Sequence, residues 1–206
     1  MKKWMFNEAS SPTIVTKIAD LIGLNLIFIL SCLPIVTIGP SLCALYSVTL
    51  KMADPEKDYY VVKDYIKSFK INLKQGSILF GIQLLIATLI LGTILLINLN
   101  GEPTFLVTAI FLVFVTIFIL VSLYIYPLAA SFENKTASIF KNAIIMCFHQ
   151  MAKSIILFLI AAVIIVLPLI SIQTLFIWVW LVFSLTAYLQ SLILLRIFKS
   201  YIEAKK

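Results

Sequence analysis

Between Lys153 and Arg196 the chain runs from residue 154 to residue 195, 42 residues, without one charged side chain. A helix crosses a bilayer with about 20 apolar residues, so this run is too long for one crossing and right for two. Pro168 and residues 171–174 mark the turn between them, and Trp178 and Trp180 follow as interface anchors. A second stretch, between Lys74 and Lys135, holds no lysine or arginine. It divides into spans at 77–98 and 104–130, separated by the turn residues 98–103. Composition agrees: 62% of the residues are hydrophobic and 12% charged, where a soluble domain has about a half and a quarter. The period-two alternation of a membrane barrel is absent. The expected fold is all-α and polytopic.

The first apolar stretch, residues 18–50, carries its own break. Pro34-Ile-Val-Thr-Ile-Gly-Pro40 interrupts it. Pro34 cannot sit inside a continuing helix, Gly39 tolerates backbone angles or approaches closed to other residues, and Pro40 suits the first turn of a new helix. One helix should end near Leu33 and another begin near Pro40. The two arms are short for full crossings, so a two-span hairpin and a re-entrant hairpin both remain open, with the former preferred. The apolar run starts only at Ile18 and lacks a small-residue cleavage site, so this hairpin is expected to stay in the mature chain.

Two other segments are amphipathic. In 51–76, Val62, Ile66, Phe69 and Leu73 recur at helical steps, and Lys63, Lys67, Lys70 and Lys74 follow one position later. An apolar stripe beside a lysine stripe is the pattern of a helix lying in the headgroup zone. The four lysines are candidate contacts for anionic lipid headgroups or an acidic partner; the plainer reading is a basic face that anchors topology. In 131–153, Ile139, Phe140, Ala143, Ile144, Cys147, Phe148 and Met151 make one apolar face, with Lys141 and His149 off it.

Charge then sets the threading. Three basic residues lie in the lead 1–17, six in 51–76, three in 131–153 and four after residue 195, while the turns at 99–103 and 171–174 have none. Positive segments stay in the cytoplasm. The expected arrangement is a single integral domain of the cell membrane with about six membrane segments in three helical hairpins and both termini cytoplasmic. Its parts are a lead (1–17), a Pro/Gly-broken hairpin (18–50), a basic amphipathic segment (51–76), a hairpin (77–130), a second amphipathic segment (131–153), a hairpin (154–196) and a basic tail (197–206). The three leads repeat a pattern, not a sequence. The same loop rule accounts for the net charge of +7, so nucleic acid is not an expected partner.

Candidate chemistry is sparse. Cys32, Cys43 and Cys147 are far apart in apolar segments, without metal-ligand spacing. His149 is the one histidine, with no carboxylate within a helical turn. There is no phosphate-binding glycine loop and no HExxH motif, so no cofactor, metal or enzymatic activity is expected. Polar residues inside apolar segments are the better candidates. Asp20 is the one carboxylate in such a segment, and its position one turn from Lys17 favours an interfacial ion pair over a proton relay. Asn25, Gln83, Gln173 and Gln190 suit interhelical hydrogen bonds. The corner formed by Pro34, Thr37, Gly39 and Pro40 places irregular backbone at membrane depth, tolerated only where it is buried in protein or lines a wet cavity.

Asn7, Leu24-Asn25-Leu26, Pro34-Ile-Val-Thr-Ile-Gly-Pro40, Ala44-Leu45-Tyr46 and Phe69-Lys70-Ile-Asn72-Leu-Lys74-Gln75 resemble the YesL family of bacterial membrane proteins, a domain of unknown function. Size and order of spans fit along essentially the whole chain. The resemblance implies an association with Gram-positive bacteria and, through gene neighbourhoods, with carbohydrate uptake and polysaccharide use. It supplies no catalytic residues. The expectation is therefore a non-enzymatic accessory to carbohydrate transport, with an ABC-type permease or a sensor as partner; the alternative is a small-solute transporter in its own right.

Overall fold

The computed structural model describes residues 14–99, 105–132, 135–166 and 180–203. All regular structure among them is helical: α1 (Ile14–Ser31), a 3-10 turn (Ile35–Thr37), α2 (Ile38–Ala53), α3 (Val61–Ile71), α4 (Leu73–Leu99), α5 (Phe105–Ser131), α6 (Thr136–His149), α7 (Met151–Val166) and α8 (Val182–Glu203). The lead with Asn7, the expected turn residues 100–103 and 171–174, Pro168, Gln173 and Trp178, and the last three residues lie outside the described residues.

Among the described residues, four segments are long and apolar enough to cross a membrane: Ile35–Ala53, Leu73–Leu96, Val107–Ser131 and Val182–Tyr201. A fifth is the pair Thr136–His149 and Met151–Ile164, if it counts as one span, although it is bent by 101° at Gln150. This is a multi-pass helical membrane protein. With 18 residues, α1 covers about 27 Å at 1.5 Å per residue, just short of a hydrocarbon core of about 30 Å.

The bundle is built around α2. Eleven of its sixteen residues are buried, because α1, α3, α4, α5 and α8 all pack on it. The outer parts of α4 and α5 show the opposite: Leu85, Leu89, Leu95, Ile110 and Leu112 are exposed. Lipid tails are as apolar as leucine, so such faces cost nothing in a bilayer, and helices associate there through close packing and hydrogen bonds.

Hydrogen bonds and ion pairs set the register. α8 runs parallel to α2, with Tyr46 against Gln190, Thr49 against Ser191 and Asp54 against Lys199. α3 turns back along α2: Asp64 meets Lys51 at one end, and Gly76, just beyond α3, meets Gly39 at the other. Asn72 caps α3, donating to the Ser68 carbonyl at 3.0 Å, and α4 starts at the next residue.

Packing on α2 corrects the expected face of α3. The buried positions are Val61, Tyr65, Ser68 and Asn72, one residue ahead of the apolar stripe, while Ile66 and Leu73 point outward. The two stripes differ by one helical position, and the hydroxyl and amide groups of the inner one have partners on α1 and within α3. On α6 likewise, Ile139, Ala143, Met146 and Cys147 are buried, whereas Ile144 and Phe148 face outward, as does Met151 at the start of α7.

Candidate functional site

The corner begins where α1 stops. Pro34 is extended, with φ −78° and ψ 126°, and breaks the helical ladder after Ser31. The carbonyls freed by the break find hydroxyl partners. Thr37 Oγ1 donates to the carbonyls of Ser31 at 2.6 Å and Pro34 at 2.7 Å. Ser41 Oγ donates to the Thr37 carbonyl at 2.7 Å, and Ser77 Oγ, from α4, to that of Val36 at 3.0 Å. Ser31 Oγ also bonds the Tyr65 hydroxyl of α3. Three hydroxyls thus satisfy carbonyls of the irregular backbone, but residues 33–36 are exposed, so the first of the two conditions expected for such backbone at membrane depth, burial within the protein, is not met. Thr37 was legible in the sequence; Ser41, Ser77 and Tyr65 were not, because their partners are set by the return of the chain. The apolar side chains of the corner face outward, with Leu33 76% exposed.

Gly39 and Pro40 are buried because α4 crosses them. A Cβ on Gly39 would lie 2.0 Å from the Gly76 carbonyl oxygen, and one on Gly76 would lie 2.6 Å from Pro40 N. Neither glycine adopts a left-handed φ. Of the two roles open to Gly39, close backbone approach is the one it fills, and Gly76 is its counterpart.

Interior polar side chains pair between helices. Asn25 is fully buried, and its Oδ1 accepts from the Ser184 backbone N–H at 3.2 Å, joining α1 to α8. Tyr46 donates to Gln190 Oε1 at 2.5 Å, and Gln190 Nε2 donates to the Leu157 carbonyl at 3.1 Å, which ties α2, α8 and α7. Gln83 receives the Tyr126 hydroxyl and gives its amide to Ser122 Oγ at 2.9 Å, across α4 and α5. Tyr124 and Ser154 join α5 to α7 at 2.8 Å.

At the α1 entrance the expected ion pair is not formed. Asp20 accepts a hydrogen bond from Tyr59 at 3.0 Å, while the ion pairs among the described residues are Lys51–Asp64, Lys57–Asp54 and Lys199–Asp54. The connection between α2 and α3 brings Tyr59 over α1 and supplies a neutral donor, so Lys17 is not needed. Burial, then the bond to Asp20, pushes the Tyr59 phenol up, which keeps it a donor.

Asp54 is a latch the sequence did not reveal. Its side chain is 4% exposed, covered by Lys57 and Lys199 at the rim of the bundle rather than set in the core. Burial acts to raise its pKa. The Lys199 hydrogen bond, the Glu56 backbone N–H and the two ammonium charges outweigh that, and the carboxyl is held below its ordinary 3.8. His149 is exposed, its ring edge-on to Tyr201, and has no carboxylate partner among the described residues.

Lys63, Lys67, Lys70 and Lys74 are all exposed, and Lys63 Nζ sits 5.6 Å from the centre of the Tyr60 ring. Beside them, α2, α3, the start of α4 and the end of α5 enclose an open cleft of about 540 Å³. Lys51, Lys67 and Lys135 reach its lining from three different parts of the chain.

The corner, the glycine crossing and most of this cleft lie in one continuous segment. Residues 21–99 match the family described as "Protein of unknown function, DUF624". The matched region runs from within α1 to the end of α4, and so includes Asn25, the whole corner, the lysine stripe and both glycines. Comparison with curated proteins and with solved structures finds no match to either.

Proposed function

We propose that the chain is a YesL-type protein of a bacterial cell membrane, a non-enzymatic accessory to carbohydrate uptake or polysaccharide use. The matched domain of unknown function and the quoted corner motif support the family reading. In this reading α1 and the segment 35–53 make the first of three hairpins, six segments cross in all, and both termini are cytoplasmic. The lysine stripe of α3 then faces anionic headgroups, and an ABC-type permease or a sensor is the protein partner.

One observation carries the choice of accessory over transporter. The polar side chains of the interior are bonded from helix to helix, as in the Tyr46–Gln190–Leu157 chain. Bonded in this way they tie the bundle together, which supports the accessory reading.

Mild crosslinking in the native membrane followed by affinity purification tests the reading, with a permease or sensor subunit expected to co-purify. Solute uptake by liposomes containing this protein alone would replace it with the transporter reading. For topology, single cysteines at Ser10 and Ala204, in a background without Cys32, Cys43 and Cys147, should be protected from impermeant thiol reagents in intact cells. Labelling at Ser10 from outside would leave a single crossing for residues 18–50.

A further inference from the structure

We infer that the cleft between α2, α3 and the end of α5 is a binding site for a phosphate ester. Three ammonium groups, Lys51, Lys67 and Lys135, line it against one carboxylate, Asp64. That carboxylate is already committed on both oxygens: Oδ1 accepts from Lys51 at 2.9 Å and Oδ2 from the Tyr60 backbone N–H at 2.8 Å. Lys67 and Lys135 have no ion-pair partner among the described residues. Two ammonium groups from opposite walls of a concave site, on α3 and just past α5, form a field that an anion with several acceptor oxygens would satisfy. Ser47, on the α2 wall, adds a hydroxyl.

The walls also suit an ester rather than a bare ion. Ile71 and Phe132 line the same cleft, and Ile71 continues outward as an exposed apolar surface. A ligand with phosphate at one end and an organic body at the other would place its charge between the lysines and its body along that wall. Two sources have this chemistry, an anionic phospholipid headgroup and a soluble sugar phosphate. The site differs from the lysine stripe, since Lys63, Lys70 and Lys74 do not line it, and it requires α5 as well as α3. It stands whether or not the accessory role is correct.

The full chain, purified in a neutral detergent, is titrated with glucose 6-phosphate and, separately, with short-chain phosphatidylglycerol against short-chain phosphatidylcholine, by calorimetry and thermal shift. Saturable binding of at least one phosphate probe is expected, with no response to phosphatidylcholine. Response to the lipid alone assigns a headgroup; response to the sugar phosphate assigns a soluble ester. The K67Q/K135Q variant should lose about thirtyfold in affinity, taking two lysines near an anion together. K67R/K135R should recover most of it, and K141Q/R196Q, with the same charge removed at exposed positions outside the cleft, should bind as wild type. Both target lysines are exposed, so unchanged melting of the ligand-free variants reports an intact fold. Failure of both phosphate probes to bind wild type, or equal losses in the cleft and control variants, overturns the assignment.

Discussion

Gly39 at the start of α2 and Gly76 at the start of α4 touch backbone to backbone, so that a Cβ on the first would lie 2.0 Å from the carbonyl oxygen of the second. The contact involves main chain on both sides, and no rotamer change can relieve a clash there. Gly39→Ala and Gly76→Ala should each lower stability in detergent by about 3 kcal/mol, the upper end for overpacking. Gly81 and Gly92 are the controls, since a Cβ on either meets nothing within 4 Å. Alanine there should stabilise α4 by about 0.5–1 kcal/mol. Thermal unfolding of the four single variants decides it. Equal behaviour of Gly39→Ala and Gly92→Ala would mean the helices do not cross here.

The hydroxyls of the corner can be tested through Thr37. Thr37→Val keeps the shape but removes the donor to the Ser31 and Pro34 carbonyls, for an expected cost of about 1–2 kcal/mol. Thr37→Ser should recover most of it. Thr116→Val is the comparison, because Thr116 bonds only the Leu112 carbonyl within its own helix. Amide exchange across residues 31–41 should accelerate in Thr37→Val alone. If exchange there is unchanged while a functional readout is lost, the corner is a binding element rather than a turn that holds the hairpin.

The pair Tyr46–Gln190 links positions 144 residues apart in the chain. Tyr46→Phe leaves Gln190 Oε1 buried without its donor, and should cost about 1 kcal/mol. Gln190→Leu also frees the Leu157 carbonyl and should cost more. The double variant should lose less than the two singles combined. Strict additivity would show that the two side chains do not meet.

For Asp54 the sign of the pH dependence follows from its depressed pKa. A carboxyl with a folded-state pKa below its unfolded value adds stability that is fully present above the unfolded value. That stability is lost as pH falls through the folded one. The thermal midpoint of wild type should therefore drop more steeply below about pH 4 than that of Asp54→Asn. At neutral pH the variant should be less stable by up to about 1 kcal/mol, through loss of the carboxylate charge facing Lys57 and Lys199. Parallel pH profiles would remove the latch between α2 and α8.

Much of the fold was legible because hydrophobic length and backbone stereochemistry are local properties. The 42 uncharged residues after Lys153 and the basic-free stretch before Lys135 located α4, α5, α7 and α8. The Pro34–Pro40 motif placed the corner, with α1 ending at Ser31 and α2 starting at Ile38, within two residues of the expected limits. That Gly39 would serve a turn or a close approach also followed from its lack of a side chain.

What only the tertiary structure decided was who meets whom. A helix apolar on many sides does not distinguish a lipid tail from a neighbouring helix, so its pattern cannot say which face packs inward. On α3 that choice fell to Val61, Tyr65 and Ser68, one position away from the more apolar stripe, because Tyr65 reaches Ser31 across the bundle. Asp20 took Tyr59, brought over α1 by the connection between α2 and α3, in place of the nearby Lys17. Gly76 carried no signal of its own until α4 was laid across α2. Chain length and proline or glycine are read residue by residue, whereas complementarity between surfaces distant in sequence exists only once the helices are packed.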